Sequence, residues 1–303
     1  MNLPPTGLDP SWEVLERKSN AFQSTFPTEI LTCRRPDGHV FRVLLKPSAG
    51  LEHDCEGHRG GVAYESRVYR EVLAHTEISC PRFLSSFTDD GETCLAIEFV
   101  EDAVSAECAP DPILAMEHAA RWSARFQRAV PASTYGSLTR YDAAYYAQWV
   151  TRTWEFAGAW QGRLDWLKPL IGSAEPYLRG FEQRLSLPIH GEFTPHNVLV
   201  RGDPTHPAVY PVDWESAAIG LPEIDVVCLT DKWPPEYSER CLAAYVDERF
   251  GADRPSDWDS RVDRARLYLN FRWLGDRPEW TGLDKVGPRF EQLRAAAERL
   301  ELL

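Results

Sequence analysis

His190-Gly191-Glu192-Phe193-Thr194-Pro195-His196-Asn197-Val198-Leu199-Val200 is the stretch on which the reading of this chain turns, and Tyr210-Pro211-Val212-Asp213-Trp214-Glu215 completes it. An acidic residue stands five positions before an asparagine, on a turn that leads into an apolar strand. A second strand then ends in an aspartate. Phosphoryl transfer needs such parts: a carboxylate beside the attacking hydroxyl, and an amide oxygen and a carboxylate as hard ligands for Mg²⁺. The metal in turn bridges nucleotide phosphates and offsets the charge that develops on them.

Toward the amino terminus the pattern is that of strands with one helix. Glu29 to Cys33 is a short β-prone run, Pro36-Asp37-Gly38 gives a turn, and Val40 to Leu45 is a second run, which together predict a hairpin. A segment holding Gly57, Gly60 and Gly61 reads as a loop. From Tyr64 the spacing becomes helical, with Val68, Tyr69, Val72 and Leu73 on one face. Cys94 to Val100 is a nearly continuous apolar strand interrupted by Glu98. Beyond it the chain is mainly helical. Pro112 can start a helix, Tyr141 to Leu170 is rich in aromatic residues, and two late helices are expected near Glu236–Phe250 and Arg261–Leu274. A β-rich part followed by a helical part predicts an α+β chain of two lobes, residues 1–101 and 102–303.

The stretch His190–Asn197 followed by Val212-Asp213-Trp214 resembles the H-G-D-x-x-x-x-N and I/V-D-W/F pattern of the aminoglycoside phosphotransferase and choline kinase-like family, with Glu192 in place of the usual aspartate. Gly220-Leu221-Pro222-Glu223-Ile224-Asp225 is similar to the family's G-x-P-x-x-D segment, whose aspartate braces the catalytic loop. The resemblance runs from about Ser19 to about Leu274 and implies a protein-kinase-like fold, with a nucleotide-binding amino-terminal lobe and a catalytic, substrate-binding carboxy-terminal lobe. It implies further that Lys46, at the end of Phe41–Leu45, contacts phosphates, and that Glu65 pairs with it in preference to Glu71. The backbone of Glu98 and Val100 is implied to meet a purine edge, Asn197 and Asp213 to hold Mg²⁺, and Glu192 to act on the acceptor hydroxyl.

The function so implied is transfer of the γ-phosphoryl group of ATP or GTP to a small-molecule alcohol. An aminoglycoside, another sugar-containing natural product and a small amino alcohol all fit. A catalytically degenerate nucleotide-binding or scaffold protein is the alternative. A glycoside hydrolase using Glu192 and Asp213 is a third reading, in which Lys46 and the Asn197 spacing would be coincidences. Two departures from the family pattern stand out. Ser19–Pro27, the place of a phosphate-binding loop, contains no glycine. Glu192 is one methylene longer than aspartate. Shortening Glu192 to Asp is expected to leave intermediate activity, and replacing Lys46 is expected to cost catalysis more than stability.

Composition narrows the partners. The chain has 303 residues and a formal net charge of −13. Such a charge repels nucleic acid and anionic membrane surfaces, so neither is expected as a partner. Seven cysteines without a CxxC pair suit a reducing compartment, and no secretory signal is legible, so a cytoplasmic location is expected. His53–His58 lacks a second cluster at zinc-site spacing and reads as a polar loop. His196 reads as solvent-exposed and His190 as a loop-orienting group. Glu215 fits either a second metal region, a substrate contact or a structural hydrogen bond. The four tryptophans from Trp149 to Trp166 are expected to pack the helical lobe.

Overall fold

A computed structural model describes residues 7–20, 27–48, 57–89, 91–281 and 286–303. Most of the expected phosphate loop, residues 21–26, and His53 to Glu56 of the glycine-containing segment lie outside the described residues. Two compact units are present. One comprises Met1–Ala119, Arg128–Ser137 and Pro195–Ala217, the other Ala120–Gln127, Leu138–Thr194 and Ala218–Leu303.

The first unit is built on an antiparallel five-stranded sheet of β1 (Glu13–Ser19), β2 (Glu29–Arg34), β3 (Val40–Pro47), β4 (Phe83–Asp89) and β5 (Glu92–Glu98), in the order β1-β2-β3-β5-β4. The predicted hairpin is β2–β3, with Gly38 at φ +86° in its turn, where a residue with a Cβ would be strained. Strand alternation sorts β3: Val43 and Leu45 join Leu31, Cys33, Cys94 and Ala96 in a buried cluster on one face, and Lys46 falls on the other. β1 was not legible, because among its residues only Val14 is buried. It is an edge strand held by ladder bonds and by the Arg17–Glu29 and Arg34–Glu13 ion pairs.

Helix α1 (Gly61–Glu71) buries Val62, Tyr64, Glu65, Ser66, Val68 and Tyr69. The Tyr64 hydroxyl bonds the Ala217 carbonyl, which ties this helix to the segment after Asp213. A short sheet of β6 (Val104–Ser105), β9 (Val198–Arg201) and β10 (Ala208–Pro211) carries the second half of the decisive stretch. β9 and β10 pair antiparallel, and the Val212 N–H donates to the Asn197 carbonyl at 2.9 Å. The ends of the two strands are thereby fixed side by side.

The second unit holds the small sheet β7 (Thr139–Arg140), β8 (Leu187–Ile189) and β11 (Ala218–Gly220), and the helices α3 (Ala143–Phe156), α4 (Leu167–Arg179), α5 (Glu223–Thr230), α6 (Pro235–Phe250), α7 (Trp258–Leu274), α8 (Pro278–Thr281) and α9 (Gly287–Arg299). Helix α2 (Pro112–Ala129) begins at the expected proline and contributes to both units. α3 starts on a cap, the Asp142 carboxylate accepting from the Tyr145 N–H at 2.7 Å. α7 is buried nearly all round and packs against α3, α5 and α9. Tyr141, Tyr145, Tyr146 and Tyr268 cluster in this core, Tyr141 stacked on Tyr145 and Tyr146 edge-to-face with Tyr268, and the Tyr145 and Tyr268 hydroxyls are 2.9 Å apart. Trp149 is fully buried beside them. The α+β class expected from the sequence is the one observed. No helix among the described residues is long and apolar enough to cross a membrane.

Candidate active site

In the first unit, β3 delivers Lys46 and α1 delivers Glu65 to one buried cluster. Lys46 is 6% exposed and Glu65 1% exposed. Their side chains pair, Lys46 Nζ to Glu65 Oε2, at 2.8 Å. The other Glu65 oxygen accepts the Trp214 backbone N–H at 3.1 Å. One carboxylate therefore fixes both the lysine and the backbone next to Asp213. Lys46 also pairs with Asp213 Oδ1. Burial works against the charge on Lys46, but Glu65, Asp213 and Glu215 outweigh it and push the lysine pKa above its ordinary value. Burial raises Glu65 as well, with Lys46 opposing.

Asp213 follows β10 in a left-handed conformation, φ 69° and ψ 59°. A non-glycine residue held there costs on the order of 1–3 kcal/mol and is retained where surrounding structure over-determines it. Here the Val212–Asn197 bond on one side and the Glu65–Trp214 bond on the other do so. Glu215, two residues on, is 1% exposed and stands 3.5 Å from Arg59 Nε through its Oε1. Its Oε2 is buried with no hydrogen-bond partner among the described residues. Burial, followed by the nearby Asp213, raises the Glu215 pKa to about 8. Asn197 closes the turn Pro195–Asn197 and is half-buried. His196 is exposed and meets Glu107 at 2.8 Å through Nδ1.

Glu98 ends β5, where its carboxylate accepts from Arg82 Nε at 3.0 Å and its N–H donates to the Arg82 carbonyl at 2.9 Å. Val100, two residues on, is buried. Glu71, the less favoured lysine partner, instead accepts from the Ser137 hydroxyl at 2.8 Å. His58, expected in a polar loop, is buried, because it immediately precedes the segment that enters α1.

In the second unit, β8 leads into His190-Gly191-Glu192. Asp225, on α5, accepts the backbone N–H of His190 at 2.9 Å and of Gly191 at 3.0 Å. Gly191 sits at φ +83°, so the turn needs a glycine there. Burial raises Asp225 to about 7 against the pull of these two bonds and of Ser123. Glu192 is 8% exposed and its Oε1 pairs with the guanidinium of Arg272, on the last turn of α7. No motif in the sequence pointed to Arg272. It lies 80 residues from Glu192 and meets it only through the packing of α7.

The phosphotransferase enzyme family matches residues 57–299, most of the chain, and the chain belongs to that family. No curated protein sequence matches it significantly. Solved structures resemble it over nearly their whole length. The GDP complex of an aminoglycoside 2'-phosphotransferase is 14% identical with a TM-score of 0.61, covering 95% of this chain and 91% of that one. A spectinomycin phosphotransferase in complex with ADP and spectinomycin is 12% identical with a TM-score of 0.55, covering 96% and 94%. A choline kinase from Streptococcus pneumoniae is 12% identical with a TM-score of 0.57, covering 96% and 95%. At such identities the likeness is one of fold, and that fold is protein-kinase-like.

Proposed function

We propose that this chain transfers the γ-phosphoryl group of ATP or GTP to a hydroxyl of a small molecule. The observation that carries the reading is the buried cluster of Lys46, Glu65 and Asp213, assembled from a strand, a helix and a strand end far apart in sequence. Burying one ammonium among three carboxylates is costly unless the charges have work to do. A nucleotide site is such work.

Lys46 acts as a point charge on the α- and β-phosphates, and Glu65 fixes its direction. The backbone of Glu98 and Val100 meets the purine edge. Asn197 and Asp213 would hold Mg²⁺: the donors are hard oxygens, and the buried Glu215 Oε2, without a hydrogen-bond partner among the described residues, adds acceptor capacity beside Asp213. When bound, the ion would supply positive charge to the donor phosphates. Asp213 pairs with Lys46 in this structure, so the carboxylate that would hold the ion and the ammonium that contacts the phosphates stand side by side. Glu192 accepts a hydrogen bond from the acceptor hydroxyl, orients it and takes its proton as the new P–O bond forms and the bond between the γ-phosphorus and the β–γ bridging oxygen breaks, the nucleoside diphosphate leaving with that oxygen. Asp225 holds the loop on which Glu192 stands. GDP and ADP in the similar structures support a purine nucleotide donor. Aminoglycosides, other sugar-containing natural products and amino alcohols are the acceptor classes proposed, and a cytoplasmic location suits all of them.

The test is nucleotide consumption with Mg²⁺ and ATP or GTP against a panel of these acceptors, with mass spectrometry for added phosphate. Acceptor-dependent turnover is expected. Glu192→Gln should keep nucleotide affinity and lower kcat by about 10²–10⁴-fold. Asp213→Asn should lose the Mg²⁺ dependence of nucleotide binding. Nucleotide binding without a phosphorylated product in any arm would make the chain a non-catalytic member of its family.

A further inference from the structure

We propose that Arg272 is the positioning residue for Glu192, and that it makes glutamate rather than aspartate the competent carboxylate in this chain. The inference rests on the reading of Glu192 as the group that receives the acceptor hydroxyl.

A glutamate carries one more methylene and one more torsion than an aspartate on the same backbone. Its carboxylate is displaced by roughly an ångström and samples more rotamers. Left alone, it would present the acceptor hydroxyl with a poorly fixed partner. Arg272 removes that freedom by pairing with Oε1. Arg272 is itself only 8% exposed and projects from a rigid support. α7 packs on three neighbouring helices. Its carboxy-terminal end is fixed by Arg152, whose Nε donates to the Gly275 carbonyl at 2.7 Å. Gly275 lies against the Trp149 carbonyl, where an added Cβ would stand 3.0 Å away. The Thr153 hydroxyl donates to the Phe271 carbonyl at 2.9 Å, next to Arg272.

A purely structural role does not account for the arginine. Its Nε is buried without a hydrogen-bond partner among the described residues, as is Oδ1 of Asp276, the next carboxylate along the chain. Apolar side chains in place of both partners would fill the same space without stranding a donor, and replacing a whole buried pair in this way is often neutral or stabilising. What the arginine adds is a fixed direction for Glu192. Burial disfavours its charge, and Glu192, then Asp276, outweigh that penalty. The groups facing the pair are Tyr268 from α7, Tyr145 from α3, Cys228 from α5 and Asp276 just after α7. Among these and the pair itself, Arg272 is the cation.

The sequence alone leads one to expect intermediate activity from Glu192→Asp. The ion pair sharpens that expectation, since the shorter carboxylate no longer reaches the guanidinium. The test uses the full chain with Mg²⁺, nucleotide and an acceptor found in the screen. It compares Arg272→Met, Arg272→Lys, Glu192→Asp and Glu192→Asp/Arg272→Met for kcat, KM, pH profile and nucleotide affinity. Arg272→Met should lower kcat by about 10²-fold, within the range of general-base losses, with nucleotide affinity unchanged. Its acid limb should move to higher pH, because a carboxylate that loses a neighbouring cation binds its proton more tightly. Arg272→Lys should recover part of kcat and move the limb back. Glu192→Asp should fall by at least about tenfold, and adding Arg272→Met to it should cost little more, the signature of two residues acting as a unit.

Wild-type kcat and an unmoved acid limb in Arg272→Met would overturn the inference. If that variant does not fold, Glu192→Asp decides: activity at or above wild type overturns it, and the predicted fall supports it. The underlying reading fails separately. Full turnover in Glu192→Gln, or no turnover by the wild type, removes Glu192 from the mechanism and Arg272 with it. An inactive Glu192→Gln beside a fully active Arg272→Met refutes only the role of the arginine.

Discussion

Replacing Lys46 by methionine removes one charge from the buried cluster while keeping most of the side-chain volume. The loss is therefore electrostatic rather than a cavity. Glu65 and Glu215 are each 1% exposed, and the Asp213 side chain is 23% exposed. Without the ammonium these three carboxylates face one another, with Arg59 near Glu215 as the remaining cation among the contacts described. Breaking a buried pair by deleting one partner costs about 3–5 kcal/mol, because the surviving charge is left uncompensated. Asp213 can turn toward water, so its share is discounted and the lower half of that range applies. At about 2–4 °C per kcal/mol for domains of this general size, the melting temperature should fall by roughly 6–16 °C at neutral pH. The sequence led to a smaller stability effect, since it did not show that Lys46 is sunk among three carboxylates. The gap should narrow as pH falls, because burial already favours protonation of Glu65 and Glu215, and neutral carboxylic acids no longer repel one another. The double variant Lys46→Met/Glu65→Gln should recover at least half of the lost stability, yet kcat/KM should stay low in both, since the phosphates lose their cation either way. Scanning calorimetry between pH 5 and pH 8 and steady-state kinetics make the comparison. A single variant that melts within about 1 °C of wild type, with a pH-independent gap, would refute the reasoning.

Three further outcomes are expected. Asp225→Ala should strand the backbone N–H groups of His190 and Gly191, at about 1–3 kcal/mol each, and should lower both the melting temperature and kcat; retention of both in the same preparation would show that the loop does not depend on this brace. Glu215→Gln should flatten the pH dependence of stability in the metal-free protein. The folded pKa of Glu215, about 8, lies above its ordinary 4.5, so its contribution is fully present below about 4.5 and is lost as pH rises through about 8. Thermal melts of the two proteins across pH 5–9 that run parallel would exclude Glu215 as the source. Asp213→Asn should keep the fold but weaken Mg²⁺-dependent nucleotide binding, measured by calorimetry with and without the ion.

What the sequence revealed and what it hid follow from the distance over which each feature is specified. The β2–β3 hairpin was legible because its turn residues and alternation are local. The decisive stretch was legible because the carboxylate, the asparagine and the start of the strand that follows them share eleven consecutive residues. Lys46 and Glu65 were legible only by resemblance, since a lysine after an apolar run and a glutamate on a helix have no local signature of being paired. β1 stayed hidden because its side chains are mostly exposed and charged, so its place depends on ladder bonds to β2 rather than on hydrophobic alternation.

Arg272 is the extreme case of a residue that sequence cannot reveal. Its helix is predictable, but α7 is buried nearly all round, so the apolar pattern does not say which side faces Glu192. A charged residue on such a helix reads as a solvated face until its neighbours are known. The departure at Glu192 was nevertheless visible. A longer carboxylate in a loop whose backbone is pinned by Asp225 requires something to fix its far end. Local sequence therefore contained the question, a glutamate where the family pattern has an aspartate, while the answer sits on a helix 80 residues away. Read in that direction, a substitution inside a motif points to a compensating residue elsewhere in the fold, and the residue to test is the one that touches the altered atom.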